Sequence, residues 1–288
     1  MKMQIEYSNK RGTVIFGGGS RNDFNMTAIE GLGPVEKRAE AASFYGQPGV
    51  ETINISDGSR TITISGDLLK LNRKVYANAL SVLNLPGVLT IIFSDGERRL
   101  IDVSYVNVTP GDECGAWQKY VIQFHCDYPY FRSSNERLVK SYEKVDHIDT
   151  EFTLPGVFTT ESGNKAVNYQ GNARCDESQI FIYVTENPNP ELTQDEGSGI
   201  SISNATTGES IRFTYTMQAG DVYTINIGKR KITNQNGTDL TRYISNDTFL
   251  DGFHLEPGEN TIRTHNYQGT LNVEIMMFYT DYWIEAVY

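Results

Sequence analysis

The 288-residue sequence has few cysteines and no long apolar run. Its three cysteines, Cys114, Cys126 and Cys175, are odd in number, far apart and without CxxC spacing. We therefore expect reduced packing residues rather than a disulfide framework or a zinc site. The longest apolar runs, residues 180–184 and 275–279, hold five residues each. Because a transmembrane helix needs about 20 apolar residues, we expect no membrane-spanning segment.

Positive charge is scarce in the second half of the chain. Residues 1–140 hold 16 Lys and Arg against 15 Asp and Glu, whereas residues 141–288 hold 9 against 21. The two parts therefore carry +1 and −12 of the total of −11. Because an acidic surface repels phosphate and anionic lipid, we expect neither nucleic-acid binding nor membrane insertion. This charge asymmetry indicates either that the acidic half keeps the protein soluble or that the two halves are separate domains that contact different partners.

Motifs for catalysis and cofactor binding are missing as well. Residues 17–21, Gly-Gly-Gly-Ser-Arg, lack the Gly-Lys-Ser/Thr ending of a phosphate loop, so we interpret them as a turn. The histidines show no metal-binding spacing: His125, His147, His254 and His265. No nucleophile elbow and no Ser/His/Asp set stands out. We predict no catalytic, cofactor-binding or metal-binding residues and a protein that is not an enzyme, with an uncharacterised hydrolase as an open alternative.

What the sequence does contain is mainly β-strand pattern. Apolar and polar residues alternate over residues 211–217, 223–227 and 271–279. This alternation is typical of strands with one face on a core. Dipeptides suited to tight turns, such as Asn236-Gly237, separate such segments. Residues 141–288 are therefore predicted to form an all-β domain.

Residues 1–140 are predicted to form a β-rich domain with one helix. Val75, Ala79, Val82 and Leu83 recur at helical spacing, which predicts a helix over 72–83 with Asn72 as its N-cap. Strands are predicted around this helix, at residues 61–65, 88–93, 100–108 and 117–126.

Three further segments carry little core pattern. Residues 35–50 contain a Gly-Gln-Pro-Gly sequence and are interpreted as an exposed hairpin or arm. The polar stretch 131–149 is predicted to be a linker between the two domains. Residues 186–199, which hold two prolines and several acids, are predicted to be a surface loop.

Short motifs follow one another in a recognisable order. In the first half they are Ile-Glu-Gly-Leu-Gly-Pro at 29–34, Gly-Gln-Pro-Gly at 46–49, Arg-Thr-Ile-Thr-Ile at 60–64, then the helix, and Cys-Asp-Tyr-Pro-Tyr-Phe at 126–131. In the second half they are residues 200–208, 219–221 and 253–262. This series resembles the distal tail protein family of long-tailed siphophages, which also occurs in phage-tail-like bacteriocins. One departure is that Tyr128 separates Asp127 from Pro129.

The resemblance implies a structural protein at the tail tip of a virion or tail-like particle, assembled in the host cytoplasm. It implies an N-terminal ring-forming domain with an extended arm and a C-terminal galectin-like β-sandwich. Members of the family form a homo-hexameric hub. The expected partners are other copies of the chain, the tail tube protein, and tail-associated or fibre and receptor-binding proteins.

A carbohydrate-binding host-adhesion module is the alternative function. It has some support because aromatic faces of an acidic β-sandwich can pack against sugar rings. The galectin-like label alone does not imply sugar binding. Galectins use a His-x-Asn-x-Arg strand and a Trp-centred site, whereas His265-Asn266 lacks that spacing and Trp283 lies near the C-terminus.

Overall fold

A computed structural model describes residues 3–17, 24–43, 45–46, 48–69, 73–143, 164–186, 196–269 and 271–286. The chain divides into two compact units. The first unit is Met1–Ser134 with Trp283–Tyr288, and the second is Asn135–Tyr282. Some predicted features lie outside the described residues: most of the glycine-rich turn, the Asn72 cap, His147, residues 144–149 and residues 187–195.

Among its described residues the first unit contains one helix, with strands before and after it along the chain. In chain order they are β1 Gln4–Asn9, β2 Gly12–Gly17, β3 Phe24–Glu30, β4 Lys37–Ala42, β5 Glu51–Asp57, β6 Arg60–Leu69, α1 Arg73–Leu83, β7 Gly87–Ile92, β8 Arg98–Val103, β9 Tyr105–Cys114, β10 Trp117–Cys126 and the start of β11 Phe131–Glu143. The main sheet has the strand order β8-β7-β1-β2-β3-β6-β10-β9, and β4 pairs with β5 in a sheet of two strands. β2 and β3 pair in parallel, whereas the other neighbours pair antiparallel.

The core of this unit follows from cross-strand pairs on one face of the sheet. Ile62 lies opposite Phe124 and Ile64 lies opposite Ile122 in the β6–β10 register, and all four are fully buried. The ring of Tyr7 lies 5.2 Å from that of Phe124. Because directly opposed side chains are the closest neighbours in a sheet, the alternation in sequence becomes one continuous apolar layer.

The predicted helix is confirmed, with α1 beginning at Arg73. Ala79, Val82 and Leu83 are buried in the core cluster, and Val75 packs against it. The helix ends where side chains of the β1–β2 turn donate to its last carbonyl groups. The amide Nδ2 of Asn9 lies 2.7 Å from the carbonyl oxygen of Val82. Such contacts satisfy acceptors that an α-helix leaves unpaired at its C-terminus.

Two sequence predictions in this region are wrong. Residues 100–108 were predicted as one strand but belong to two, β8 and β9. The strand is interrupted at Ser104, whose backbone N–H donates to the carbonyl of His125. Residues 131–143 form strand β11 rather than a linker. Its polar side chains are held by ion pairs instead of apolar packing, with Arg132 3.0 Å from Asp102 and Arg137 2.7 Å from Asp281.

The second unit is all-β apart from a short 3-10 turn at Thr241–Tyr243 in its described residues. Besides the rest of β11, its strands are β12 Lys165–Tyr169, β13 Gln179–Glu186, β14 Glu196–Asn204, β15 Ser210–Phe213, β16 Val222–Asn226, β17 Lys231–Asn234, β18 Gly258–Gln268 and β19 Leu271–Trp283. One sheet has the order β17-β16-β13-β19-β11 and the other β12-β18-β14-β15. The predicted mainly β fold is thus confirmed.

The buried faces of these two sheets pack on each other. Phe213 of β15 lies 5.6 Å, ring to ring, from Tyr223 of β16, and Tyr169 of β12 lies 6.2 Å from Tyr279 of β19. Alternate residues of β19 from Leu271 to Tyr279 are buried, as the alternation predicts. The arrangement is that of two antiparallel sheets sharing one core.

Cys126 and Cys175 are buried, free thiols, as the sequence predicts. Burial raises the pKa of each thiol to about 12, so little thiolate forms near neutral pH. In a Cys114→Ser background, we expect a thiol reagent at pH 8 to leave the folded protein unlabelled and to modify both cysteines in guanidinium chloride. Rapid native-state labelling would contradict this prediction.

Candidate assembly surfaces

The β4–β5 hairpin is the most exposed of the described elements of the first unit. Lys37 pairs with Asp57 at its base, where the ammonium Nζ lies 2.5 Å from the carboxylate. Every described side chain of β4 and β5 is exposed except the terminal residues Ala42 and Asp57, which are half-buried. The arm predicted over residues 35–50 is therefore a hairpin that continues to Asp57. A two-stranded hairpin without further packing is marginally stable in water.

Large apolar side chains lie on this hairpin. Tyr45 and Val50 near its tip are exposed, and Ile53 and Ile55 on β5 are 68% and 63% exposed. Ile53 and Ile55 are two residues apart and so share one face of the strand. Contiguous exposed apolar surface on a folded protein is typical of a contact site.

Arg60 holds the base of this hairpin to three other segments of the first unit. The residue is 5% exposed, and its guanidinium lies over the ring of Phe131, 4.6 Å from the centroid. It donates to four backbone carbonyl oxygens: Pro129 at 2.7 Å, Gly31 and Gly33 at 2.6 Å each, and Ile284 at 2.5 Å. Burial lowers the pKa of Arg60 from its ordinary value.

Three of the motifs that carried the family resemblance in the first half meet at this arginine, namely residues 29–34, 60–64 and 126–131. Gly31 has φ of +87°, and a Cβ there would lie 2.2 Å from the carbonyl oxygen of Thr61, so a side chain does not fit. The C-terminal residues join the same place, since the N–H of Ala286 donates to the carbonyl of Leu32 at 2.8 Å. These motifs are far apart in the sequence, and the role of Arg60 in connecting them was not predicted from the sequence.

Helix α1 lies between two open grooves. The first has a volume of about 480 Å³ and is lined by α1 together with residues of β2 and Phe24. Its floor is apolar, with Val14, Val75 and Val82 among its lining residues. The second, of about 510 Å³, lies on the other side and is lined by Ala77, Leu80, Ser81, Leu83, Asn84, Val106 and Val108.

The second unit has a stacked pair on its four-stranded sheet. The guanidinium of Arg212 lies 3.4 Å from the ring centroid of Tyr267, and the rings of His265 and Tyr267 are 4.3 Å apart. Glycines of β14 make room for this arrangement, because a Cβ at Gly197 would lie 2.8 Å from that of Tyr267. Arg212 thus covers one face of the Tyr267 ring, and the His265 ring lies nearly perpendicular to it, at 86°.

Among the described residues, no group of three or more His, Cys, Asp or Glu could hold a metal ion. His125 lies 3.4 Å from Asp127 and stacks on Tyr105, whereas His254 lies 2.9 Å from Glu256. In the same described part of the chain, no helix has the length and apolar character needed to cross a membrane.

A family model and solved structures match this chain. Residues 184–283 match the family model described as siphovirus-type tail component, C-terminal domain. No curated protein sequence matches the chain. Among solved structures, the chain is similar to the SPP1 Dit protein, described as a paradigm of the hub adsorption apparatus in phages that infect Gram-positive bacteria. The identity is 12% and the TM-score 0.62, over 97% of this chain and 98% of that chain.

A second similar structure is a chain of the phage P2 baseplate in its activated conformation with calcium. It has 11% identity and a TM-score of 0.41, over 96% of this chain and 98% of that one. The family model and the fold shared with SPP1 Dit confirm the resemblance to the distal tail protein family predicted from the sequence. Residues 184–283 therefore carry a siphovirus-type tail component domain, and the chain has the fold of the SPP1 Dit protein.

Proposed function

We propose that the protein is a structural distal tail protein that forms a homo-hexameric hub. The ring joins the tail tube to the tail-tip or receptor-binding proteins, and it assembles in the host cytoplasm before it becomes part of the virion tail. In this proposal the protein has no catalytic step. The support is the family match of residues 184–283, together with a fold shared with a hub protein over nearly the whole chain.

The observation that carries ring formation is the β4–β5 hairpin. Within the described part of the chain its two strands pair only with each other, and Ile53 and Ile55 on β5 are exposed to solvent. An isolated hairpin with apolar residues in water gains stability when a neighbour covers it. The first part of the chain carries nearly zero net charge, so copies of it can approach closely without strong repulsion.

The second part of the chain would meet the other tail proteins. Residues 141–288 carry a net charge of −12, and charge complementarity favours partners with basic surfaces. These contacts should weaken as ionic strength rises, because salt screens charges beyond about 8–10 Å. The alternative, a carbohydrate-binding module, gains no matching observation: Phe249 is the exposed aromatic among the described residues of the second unit, and it is a single residue on a turn.

The test is the mass in solution together with negative-stain images. We expect the wild-type protein to have six times the 32.3 kDa chain mass and to show rings with a central hole. The double variant Ile53→Ser, Ile55→Ser should be monomeric with an unchanged melting temperature, because exposed substitutions usually change stability by less than about 0.5 kcal/mol.

The control is Leu138→Ser, which removes an exposed apolar side chain from β11 and should leave the rings intact. A wild-type protein that is monomeric at all concentrations would contradict the hexamer. Rings that persist in the double isoleucine variant would exclude the hairpin as the assembling element.

A further inference from the structure

A surface that could receive the hairpin is present on the same chain. The groove between α1 and β2 is open, and its lining combines apolar side chains with neutral polar ones and holds no acidic residue. Its volume of about 480 Å³ lies in the range, roughly 300–1,000 Å³, of pockets that enclose a drug-sized molecule. It therefore has room for several apolar side chains. Val75 and Ile15, which line it, are only partly buried.

The one charged side chain among the described lining residues of the groove is a cation. Arg11 lines the groove, and its guanidinium donates to the carbonyl of Ser81 at 3.1 Å, at the edge formed by α1. Lys10 and Lys74 are the exposed sequence neighbours of Arg11 and Val75. Helix α1 contains no Asp or Glu along its whole length, so nothing on the helix offsets these cations.

The outer part of the hairpin has the opposite charge. Residues 39–55 contain two carboxylates, Glu40 and Glu51, and no Lys or Arg. The cations of the hairpin lie at its base, where Lys37 is paired with Asp57 and Arg38 lies 3.4 Å from the hydroxyl of Ser59. The outer hairpin therefore presents apolar side chains and carboxylates, whereas the groove presents apolar side chains and one cation, Arg11.

From this complementarity we infer that the groove between α1 and β2 is the docking site for the β4–β5 hairpin of the neighbouring copy. The inference rests on the proposed ring and names the surface on which the ring closes. Ile53 and Ile55 enter the groove beside Val75, and Glu51 approaches its basic rim. A contact between two different surfaces of one chain is heterologous, and such contacts close into a ring when the rotation between copies permits.

A single substitution tests the groove without touching the core. Asn78 is exposed on α1 and lines this groove, so Asn78→Glu places a negative charge where the acidic hairpin would dock. We expect a folded monomer in place of rings. The matched control is Ala77→Glu, the adjacent exposed residue on the same helix, which lines the opposite groove and should leave the rings intact.

Mixing two defective variants gives a second, sharper readout. Ile53→Ser, Ile55→Ser keeps an intact groove, and Asn78→Glu keeps an intact hairpin. Each alone should be monomeric, whereas an equimolar mixture should form a heterodimer of twice the chain mass by native mass spectrometry and grow no further. Each variant alone must melt at the wild-type temperature.

The outcomes separate this inference from the proposed function. Rings in Asn78→Glu, together with monomers in the isoleucine variant, would leave the hairpin-built ring standing and overturn the groove as its receptor. Equal loss of rings in Ala77→Glu and Asn78→Glu would also overturn it. A wild-type protein that forms no rings would instead contradict the proposed hub itself.

Discussion

Replacing Arg60 by methionine is expected to unfold the first unit or to lower its free energy of unfolding by several kcal/mol. The guanidinium donates to the carbonyl oxygens of Gly31, Gly33, Pro129 and Ile284, and methionine offers no donor to any of them. A buried acceptor left without a partner costs about 1–3 kcal/mol. Several such losses are a large part of a domain stability of roughly 5–15 kcal/mol.

Denaturant unfolding and native-state hydrogen exchange measure this effect. Arg11→Met is the control, because Arg11 is exposed and donates to one carbonyl, that of Ser81. Arg60→Lys should be intermediate, since an ammonium keeps the charge but lacks the planar fork that reaches several acceptors at once. Loss of protection at the amide of Ala286, which donates to Leu32, should accompany the Arg60→Met destabilisation. Equal unfolding midpoints for Arg60→Met and Arg11→Met would contradict the prediction.

Elements whose residues repeat with a regular apolar period could be predicted from the sequence. Helix α1 was predicted because Val75, Ala79 and Leu83 recur at helical spacing, and the alternation in β19 predicted its buried face. In these elements the local pattern and the packing agree, so no long-range information is needed. The end of β10 at Cys126 was also predicted to the residue, because the polar and proline residues after it stop the pattern.

Elements stabilised by distant partners could not be predicted in this way. Strand β11 has a polar sequence, and Arg137 in it is held by Asp281, far away along the chain. The Arg60 site has the same origin, since one of its acceptors, Ile284, is 224 residues away. A single sequence shows neither partner, because the pairing depends on the topology of the sheet rather than on local propensity.

In the β4–β5 hairpin, an alternating apolar pattern forms a strand as expected, but its apolar face is exposed instead of buried. Ile53 and Ile55 alternate with Asn54 and Ser56, which is the pattern of a strand with one face on a core. In the described residues that face is covered by nothing, and both isoleucines are more than half exposed. The alternation is therefore best explained by a core that is completed by another molecule, which is the basis of the proposed ring.

The second large loss of stability is expected for the substitution Ala79→Asp in helix α1. Ala79 is 5% exposed and lies in the apolar cluster with Val82 and Leu83. A carboxylate at this position would be buried without a cationic partner or would take up a proton, and either costs several kcal/mol. We expect this variant to lose the cooperative unfolding transition of the first unit and its resistance to proteolysis.

Ala77→Asp separates this burial effect from the loss of helix propensity. Ala77 is exposed on the same helix, two residues before Ala79, and the same replacement there costs only the propensity difference, up to about 0.7 kcal/mol. Circular dichroism melting should therefore show a shift of a few degrees for Ala77→Asp and a loss of the native transition for Ala79→Asp. If Ala79→Asp melts at the same temperature as Ala77→Asp, then this face of α1 does not lie against the core, and the groove beside it would have a different floor.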